Sequence, residues 1–389
     1  EKGQLHKSSQ PNASYIRKKY YHQFAKLYRY FYNSDYRKVV FYDETKKRVM
    51  WICAPILLTV GTLGNILSGC VVMRRKTRKL TIAIYLLVLA ACDTLLLFVG
   101  LMNEWLKIRY DIFMNAESEF GCKLWAFLAH FLRQYTSWVI VAMTTERFIG
   151  VCFPHKLKAW VSRLKVCVFL SVMGVIFVSI NAHFFQTFAL DFGNVPLSSG
   201  KAVKGYKCDI KSGYSNFYFR AWSWTDLVLQ SFLPSSVLII MNIVIATQIK
   251  KSKKMVRHSN SGSSVGSLNL ILFLVTFMFI VTTLPINILK AVESFPKKLV
   301  VEKYMHQQML KMILLNISYI NHSCNFFLYC LSGSQFRNEL KAMCKFLKWN
   351  VRILPFGGMG DNGSVQSQSS SKYTESTQVQ SNSDTTAQM

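Results

Sequence analysis

The chain has 389 residues, of which 51% are hydrophobic and 17% are charged. Soluble domains usually carry charge on about a quarter of their residues, so this composition favours a membrane protein over a soluble enzyme. The net charge of +28 does not require a nucleic-acid partner. Lys and Arg collect at the cytoplasmic ends of membrane helices, and the sequence has neither a zinc-ligand spacing nor an RNA-binding signature.

Seven apolar segments follow a basic, tyrosine-rich N-terminal arm, residues 1–48. Each is long enough, at about 20 residues or more, to cross the hydrocarbon core of a bilayer as an α-helix, and none has the alternation of a barrel strand. The sequence therefore predicts an all-α membrane protein in which residues 49–332 form a seven-transmembrane helix bundle. The predicted spans are residues 49–73, 81–102, 122–152, 164–188, 222–249, 267–292 and 306–331.

Two further segments follow the seventh span. In residues 333–350 the apolar side chains of Phe336, Leu340, Met343 and Leu347 recur at helical spacing between basic residues. This pattern is typical of an amphipathic helix on the membrane surface. Residues 351–389 are rich in Gly, Ser, Thr and Gln, which predicts a disordered cytoplasmic tail.

The short loops predict the orientation in the membrane. Residues 74–79, 155–165 and 250–258 are basic and contain no acidic residue, whereas the loops on the opposite side are mixed in charge. The basic set should be cytoplasmic, which places the N-terminus outside a multi-pass plasma-membrane protein. The basic N-terminal arm runs against this rule, but long extracellular arms translocate regardless of charge. Asn12, in the sequence Asn-Ala-Ser, is then a candidate glycosylation site.

Cysteine positions agree with this orientation. Cys122 and Cys208 fall at predicted extracellular positions, and the other eight lie in or near membrane or cytoplasmic segments. Two thiols within reach of each other in an oxidising compartment are expected to form a disulfide. Cys344, in the predicted surface helix, is a candidate for palmitoylation, with an unmodified thiol as the alternative.

Sequence markers occur in order along the seven spans. They are Gly64–Asn65, Asp93, Cys122 followed by Glu146-Arg147-Phe148, Pro234, Pro285, "NFFLY" at 325–329 and Phe336. Over about residues 49–348 the chain resembles the rhodopsin-like (class A) G-protein-coupled receptors, in their neuropeptide-receptor branch. It departs from their usual pattern at Phe148, Asn242, Thr283 and Phe326, and in the absence of a Trp from the fourth span.

The resemblance implies a conformational switch at the cytoplasmic end of the bundle. Its residues would be Glu146, Arg147, Asn325 and Tyr329. Glu146 is expected to pair with Arg147 in the resting state, and Arg147 to exchange that partner when the sixth helix moves outward. A heterotrimeric G protein would bind the opened cleft. Receptor kinases and arrestin would act on the hydroxyl-rich tail. The alternative for Glu146 and Arg147 is an ordinary anchor pair at the membrane interface.

Asp93 lies in the middle of an apolar span and should face the bundle interior. The resemblance implies that Asp93, Thr136, Asn321 and Asn325 form a small polar cavity that can hold a sodium ion as an allosteric ligand. A protonated Asp93 in a hydrogen-bond network is the alternative. No other cofactor is expected.

In the family the ligand binds in the extracellular half of the bundle. Ala129 stands where amine receptors place an Asp, and Tyr319 stands where opsins place a Lys, so amines and retinal are disfavoured. The candidate contacts are Glu104, His130, Arg133, Gln134, Asp226, Gln230 and Lys311. A guanidinium at the depth of Arg133 needs an anion, supplied either by Asp226 or Glu104 or by the ligand.

Both signs of charge and many aromatic residues around this site favour a peptide ligand. A receptor for a non-peptide small molecule is the alternative. A transporter is disfavoured because the sequence has neither internal repeats nor Gly-rich broken helices. An intramembrane enzyme is disfavoured because there is no nucleophile–base pair and no metal-ligand motif.

Overall fold

A computed structural model describes residues 35–196, 202–255, 263–293, 301–332 and 334–353. Its main elements are seven long helices, α1 to α7, followed by an eighth, α8. Three of the seven are composite, and helix α2 contains the π-helical turn Leu97–Met102 between Ile82–Leu96 and Asn103–Tyr110. Helix α5 joins the turns Phe217–Trp222, Ser223–Leu227 and Val228–Phe232 to the segment Leu233–Met255, and α7 continues through Asn325–Ser332. The bounds are α1 Asp35–Val72, α2 Ile82–Tyr110, α3 Glu119–Cys152, α4 Arg163–Asn181, α5 as given, α6 Ser263–Glu293, α7 Val301–Ser323 with its continuation, and α8 Ser334–Ile353.

The helices follow the predicted spans closely, and the largest difference is the start of α1. Helix α1 has 38 residues, about 57 Å, whereas the hydrocarbon core of a bilayer is about 30 Å thick. Its first turns contain two ion pairs at a spacing of four residues, Asp43–Lys47 at 2.6 Å and Glu44–Arg48 at 3.3 Å. Such pairs stabilise a helix in water, where no apolar run is needed.

Within the described residues, five helices are long and apolar enough by themselves to cross a membrane. They are Phe41–Val72, Ile82–Tyr110, Arg163–Thr187, Ser212–Lys251 and Phe273–Glu293. Helices α3 and α7 fall outside this set because polar side chains run through their middle, among them Arg133 and His322. Both polar side chains point into the bundle, where protein surrounds them.

Helix α3 packs against α2, α4 and α5 and buries most of its inner face. Two of its tryptophans hydrogen-bond to π-helical turns in neighbouring helices. Trp125 Nε1 donates to the Val99 carbonyl in the α2 turn Leu97–Met102, and Trp138 Nε1 donates to the Leu229 carbonyl in the α5 turn Val228–Phe232, both at 2.9 Å. Pro234 has no N–H to give to the turn before it, so Trp138 supplies a donor that the α5 backbone lacks.

Replacing Trp138 with phenylalanine is expected to lower the free energy of unfolding by about 1–3 kcal/mol, because a buried carbonyl loses its donor. Thermal unfolding of the detergent-solubilised protein measures this. The matched control is Trp160→Phe, since Trp160 is 53% exposed and makes no hydrogen bond within the described residues. Equal melting temperatures for the two variants would contradict the role given to Trp138.

The predicted disulfide between Cys122 and Cys208 is formed, with the two Cα atoms 5.3 Å apart. It ties the start of α3 to a feature that the all-α prediction did not include. This is an antiparallel hairpin of β1 (Phe188–Pro196) and β2 (Ala202–Ile210), in which Leu190 lies opposite Cys208. A hydrogen bond to Asp209 at 2.8 Å raises the pKa of the Lys207 ammonium. The end of the bundle that bears this hairpin is called the disulfide end below.

At the other end of the bundle, the first part of α8 packs under α7. The Phe336 ring lies 5.8 Å from that of Tyr329, and Arg74 forms an ion pair with Glu339 at 2.8 Å. Arg337 donates to the carbonyls of Cys330 and Leu331, which satisfies acceptors left at the end of α7. The compact unit that contains the bundle extends to Met343, and a second unit begins at Cys344. The end of the bundle under which α8 packs is called the α8 end below.

Candidate ligand cavity and switch residues

A cavity of about 250 Å³ opens between α3, α5, α6 and α7 at the disulfide end. Four of the seven predicted contacts line it, namely His130, Arg133, Asp226 and Lys311. The other three do not, since Gln134 and Gln230 are buried behind the wall and Glu104 lies outside it. The lining is completed by Tyr218, Phe219, Trp222, Ser223, Leu227, Asn287, Lys290 and Glu293.

Arg133 has no carboxylate partner among the described residues, so neither Asp226 nor Glu104 forms the internal ion pair that the sequence left open. Its Nη1 donates to the Ala129 carbonyl at 2.8 Å, and its Nη2 donates to the Tyr319 hydroxyl at 3.1 Å. A guanidinium has five N–H donors, so three remain for another acceptor. The half-buried charge is oriented by Tyr319 but is not neutralised by protein.

Tyr319 can reach Arg133 because Gly100, in the π-helical turn of α2, leaves room for its ring. A Cβ atom at position 100 would overlap the Tyr319 hydroxyl and come within 3.1 Å of two ring carbons. Tyr319 itself is 1% exposed. The sequence singled out Tyr319 only because it excludes retinal, and did not identify it as the partner of Arg133.

Asp226 is held in place by a buried glutamine, and a histidine lies next to it. Its Oδ1 accepts from Gln134 Nε2 at 2.8 Å, and Gln134 Oε1 accepts in turn from Asn181 at 2.7 Å. His130 Nδ1 lies 3.3 Å from Asp226 Oδ2, within ion-pair distance but not aligned for a hydrogen bond. The buried Gln134, predicted as a ligand contact, therefore positions Asp226 instead.

Lys290 lines the cavity and was missed by the sequence analysis, although a Lys inside the sixth predicted span is itself a signal. Lys290 forms no hydrogen bond or ion pair among the described residues, whereas Lys311 pairs with Glu293 at 2.5 Å. Three cations thus line the cavity, namely Arg133, Lys290 and Lys311, together with the carboxylates of Asp226 and Glu293. Lys311 pairs with Glu293. The wall therefore has one net positive charge, and Arg133 and Lys290 are the cations in it that form no ion pair among the described residues.

Deeper in the bundle, Asp93 is 1% exposed, and both of its carboxylate oxygens contact nitrogen atoms. Oδ1 lies 2.7 Å from His322 Nδ1, and Oδ2 accepts from Asn325 Nδ2 at 2.6 Å. The hydroxyl of Thr136 donates to carbonyls of its own helix, those of Leu132 and Arg133. Asn321 is buried on α7. The predicted contact of Asp93 with Asn325 is present, but these side chains do not fit the predicted sodium site, because nitrogen donors occupy both oxygens of Asp93.

Near the α8 end, the expected ion pair between Glu146 and Arg147 is not formed. Glu146 instead accepts a hydrogen bond from the Thr81 hydroxyl at the start of α2, and it is 8% exposed. Arg147 makes no ion pair within the described part of the chain. The Tyr329 hydroxyl is buried and has no hydrogen-bond partner there either. Thr81, the residue immediately before α2, was not among the switch residues predicted from the sequence.

Two modification sites predicted from the sequence stay predictions. Asn12 lies outside the described residues. The Cys344 thiol is exposed, as a palmitoylated cysteine would have to be.

Comparison with known proteins identifies the family. Residues 64–329 match the family described as 7 transmembrane receptor (rhodopsin family). The chain is 25% identical over 301 residues to a probable G-protein coupled receptor of Caenorhabditis elegans, covering 73% of this chain and 66% of that protein. It is 23% identical over 311 residues to the FMRFamide receptor of Drosophila melanogaster (76% and 54%). Identity to the growth hormone secretagogue receptor type 1 of Sus scrofa is 24% over 333 residues (82% and 85%).

The chain thus spans two thirds or less of the length of the first two of these relatives. The family match covers well over half of this chain, and its span includes the residues that line the cavity and those of the Asp93 cluster. Its apolar helices agree with the multi-pass architecture of the family. This protein is a member of the rhodopsin family of seven-transmembrane receptors.

Proposed function

We propose that this chain is a plasma-membrane receptor that binds an extracellular peptide with an acidic group and activates a heterotrimeric G protein. The N-terminus and the disulfide end face the outside, and the C-terminus and α8 face the cytoplasm. The observation that carries the proposal is the net positive charge of the cavity in a receptor-family bundle, where Arg133 and Lys290 form no ion pair among the described residues. Two of the relatives are named as receptors for FMRFamide and for a growth hormone secretagogue.

The size and surroundings of the cavity favour a peptide over a small ligand. Pockets for drug-sized molecules have volumes of about 300–1,000 Å³, so this cavity of about 250 Å³ suits the end of a chain. The rest of a peptide would contact the β1–β2 hairpin, where Phe192 and Tyr206 form an exposed cross-strand pair at 5.1 Å. An exposed strand edge can also bind an extended peptide through its backbone.

An acidic group on the ligand would balance the net positive charge of the cavity. The free N–H donors of Arg133 form a planar fork that matches a carboxylate, and Lys290 adds a second cation at the same wall. A C-terminal carboxylate or an Asp or Glu side chain of the peptide would supply the missing charge. A non-peptide carboxylic acid is the second candidate, favoured by the same two cations.

The cytoplasmic side fits the coupling expected of the family. Among the residues that the structure describes, Arg147 forms no ion pair and the Tyr329 hydroxyl has no hydrogen-bond partner. Both are available to groups that enter an opened cleft. Receptor kinases and arrestin would bind the Ser- and Thr-rich tail, and the basic residues around α8 would contact anionic lipids.

The test is a calcium-response screen of the full chain expressed with a promiscuous G protein. The library contains neuropeptides, each acidic one paired with its C-terminally amidated or Asn/Gln-substituted analogue, and a set of small carboxylic acids. A response to an acidic peptide that its neutral analogue evokes at least tenfold more weakly supports the proposal. Equal responses to both analogues would contradict the acidic group, and a response to small acids alone would favour the second candidate.

Replacing Thr81 with valine is expected to lower agonist-independent signalling by about tenfold. The hydroxyl holds the carboxylate of Glu146 away from Arg147, and a hydrogen bond to a charged group contributes about 1.5–3 kcal/mol. Without it, Glu146 is free to pair with Arg147 and stabilise the resting state. Basal signalling per receptor at the cell surface measures the effect.

The control for Thr81→Val is Thr77→Val. Thr77 is also buried, but its hydroxyl has no partner in the described part of the chain. Loss of that hydroxyl should leave basal signalling unchanged. If both variants signal like the unmodified receptor, Glu146 is not part of the switch.

A further inference from the structure

The carboxylate of Asp93 is the centre of a buried cluster that joins three helices. His322 and Asn325 of α7 contact its two oxygens from one side, at 2.7 and 2.6 Å. The backbone carbonyl of His322 accepts from Asn65 of α1 at 3.2 Å. Asp93, His322 and Asn65 are each 5% exposed or less, so the cluster is closed off from solvent.

His322 is fixed in place by its neighbours along α7. The hydroxyl of Ser323 donates to the Leu57 carbonyl of α1 at 3.2 Å, and a Cβ atom on Gly61 would overlap the side chain of Ser323. Helix α7 therefore lies directly against α1 at this level. The backbone that carries His322 is therefore held against α1.

An alkali cation at Asp93 would need oxygen ligands, which bind hard cations in proteins. The nearest groups here are the imidazole nitrogen of His322 and the amide nitrogen of Asn325. As a donor to the carboxylate, each presents a positive end to the site, which repels a cation. The Thr136 hydroxyl of α3 donates to carbonyls of its own helix and makes no hydrogen bond with Asp93 in the described part of the chain.

We infer that the side chain of His322 takes the place of a sodium ion beside Asp93, so that the conformational equilibrium of this receptor does not depend on sodium. The α2–α7 contact that a bound ion would make is made by a covalently attached group. Release of sodium is then not a step of receptor activation. Any change at this site on activation has to be a change in the Asp93–His322 contact itself.

The experiment compares thermal unfolding of the purified full-length chain in NaCl and in N-methyl-D-glucamine chloride at equal ionic strength. The unmodified protein is expected to melt at the same temperature in both salts. His322→Ser, which puts a small oxygen donor in place of the imidazole, is expected to melt several degrees higher in NaCl than in the organic salt. His306→Ser is the matched control, since His306 contacts Tyr42 near the disulfide end and not Asp93.

Several outcomes would overturn the inference. One is a sodium-specific stabilisation of the unmodified protein that Asp93→Asn abolishes. Another is a folded His322→Ser protein with no sodium response. Should that variant fail to fold, His322→Asn is measured in its place, and a folded Asn variant without a sodium response also counts against the inference. The experiment uses no agonist, so its result is independent of the proposed peptide.

Discussion

Replacing Arg133 with alanine is expected to raise the agonist concentration for half-maximal signalling by about ten- to a hundredfold. A hydrogen-bonded contact between charged groups is worth about 1.5–3 kcal/mol, and each 1.4 kcal/mol is a factor of ten in affinity. Arg133 presents three unused N–H donors to the cavity, and Tyr319 holds the guanidinium in place. Arg133→Lys should recover only part of the loss, because a lysine keeps the charge without the planar fork.

Two controls separate this effect from damage to the fold. Glu104→Gln should change potency less than threefold, because Glu104 lies outside the cavity wall. Surface expression, measured by antibody binding to intact cells, should stay equal for all variants. The decisive measurement is the ratio of potencies of the acidic agonist and its neutral analogue. Arg133→Ala should abolish that ratio, and an unchanged ratio would show that the acidic group binds elsewhere.

Replacing Gly100 with alanine is expected to destabilise the receptor by about 1–3 kcal/mol and to reduce its surface expression severely. The added methyl group would overlap the hydroxyl of Tyr319, which is too buried to move aside. A displaced Tyr319 would also release Arg133, so receptors that do reach the surface should respond to agonist less well. Thermal unfolding and surface expression report the first effect, and agonist potency reports the second.

A second substitution can test the cause of this effect. Tyr319→Phe removes the hydroxyl that the new methyl group would overlap, so the double variant should be more stable than Gly100→Ala alone. Gly69→Ala is the control, because a Cβ atom there would meet only Leu87 at an ordinary 3.8 Å. Gly69 lies inside a helix, where alanine is the better residue, so this control should be neutral or stabilising. Without rescue in the double variant, the overlap with Tyr319 is not the reason for the loss.

The bundle could be predicted from the sequence because a bilayer demands long apolar runs, and these are visible in the order of residues. The Cys122–Cys208 disulfide was predicted from two thiols at extracellular positions in an oxidising compartment, and the contact of Asp93 with Asn325 was implied by the resemblance to the receptor family. The start of α1 at Asp35 could not be predicted in this way. Outside the membrane a helix needs no apolar run, and hydropathy does not detect the ion pairs that support this one.

The residues that line the cavity were only partly predictable because π-helical turns in α2 and α5 change the direction in which later side chains point. A π-helical turn inserts one residue, which rotates everything beyond it by about 100° around the helix axis. Glu104 follows the turn Leu97–Met102 and does not line the cavity, although it was predicted as a ligand contact. Gln230 lies inside the second such turn and is buried behind the wall. Neither turn has a clear signature in the sequence, although Pro234 shortly after the second one is a hint.

His322 and Lys290 could have been found by a simpler rule. An ionisable side chain inside an apolar span is a candidate functional residue whether or not a family motif includes it. The motif-based prediction named Asn321 and Asn325 and passed over the histidine beside them. Only the packed structure reveals that this histidine, rather than Asn321, contacts the carboxylate of Asp93.

The hydrogen bonds of Trp125 and Trp138 have a mechanical consequence. Both indoles belong to α3, and each hydrogen-bonds to the backbone of a π-helical turn in a different neighbouring helix. A small axial slide of α3 would therefore pull on α2 and α5 together. Such a slide would reach both the α2 turn that carries Gly100 and the α5 helix that forms part of the cavity wall.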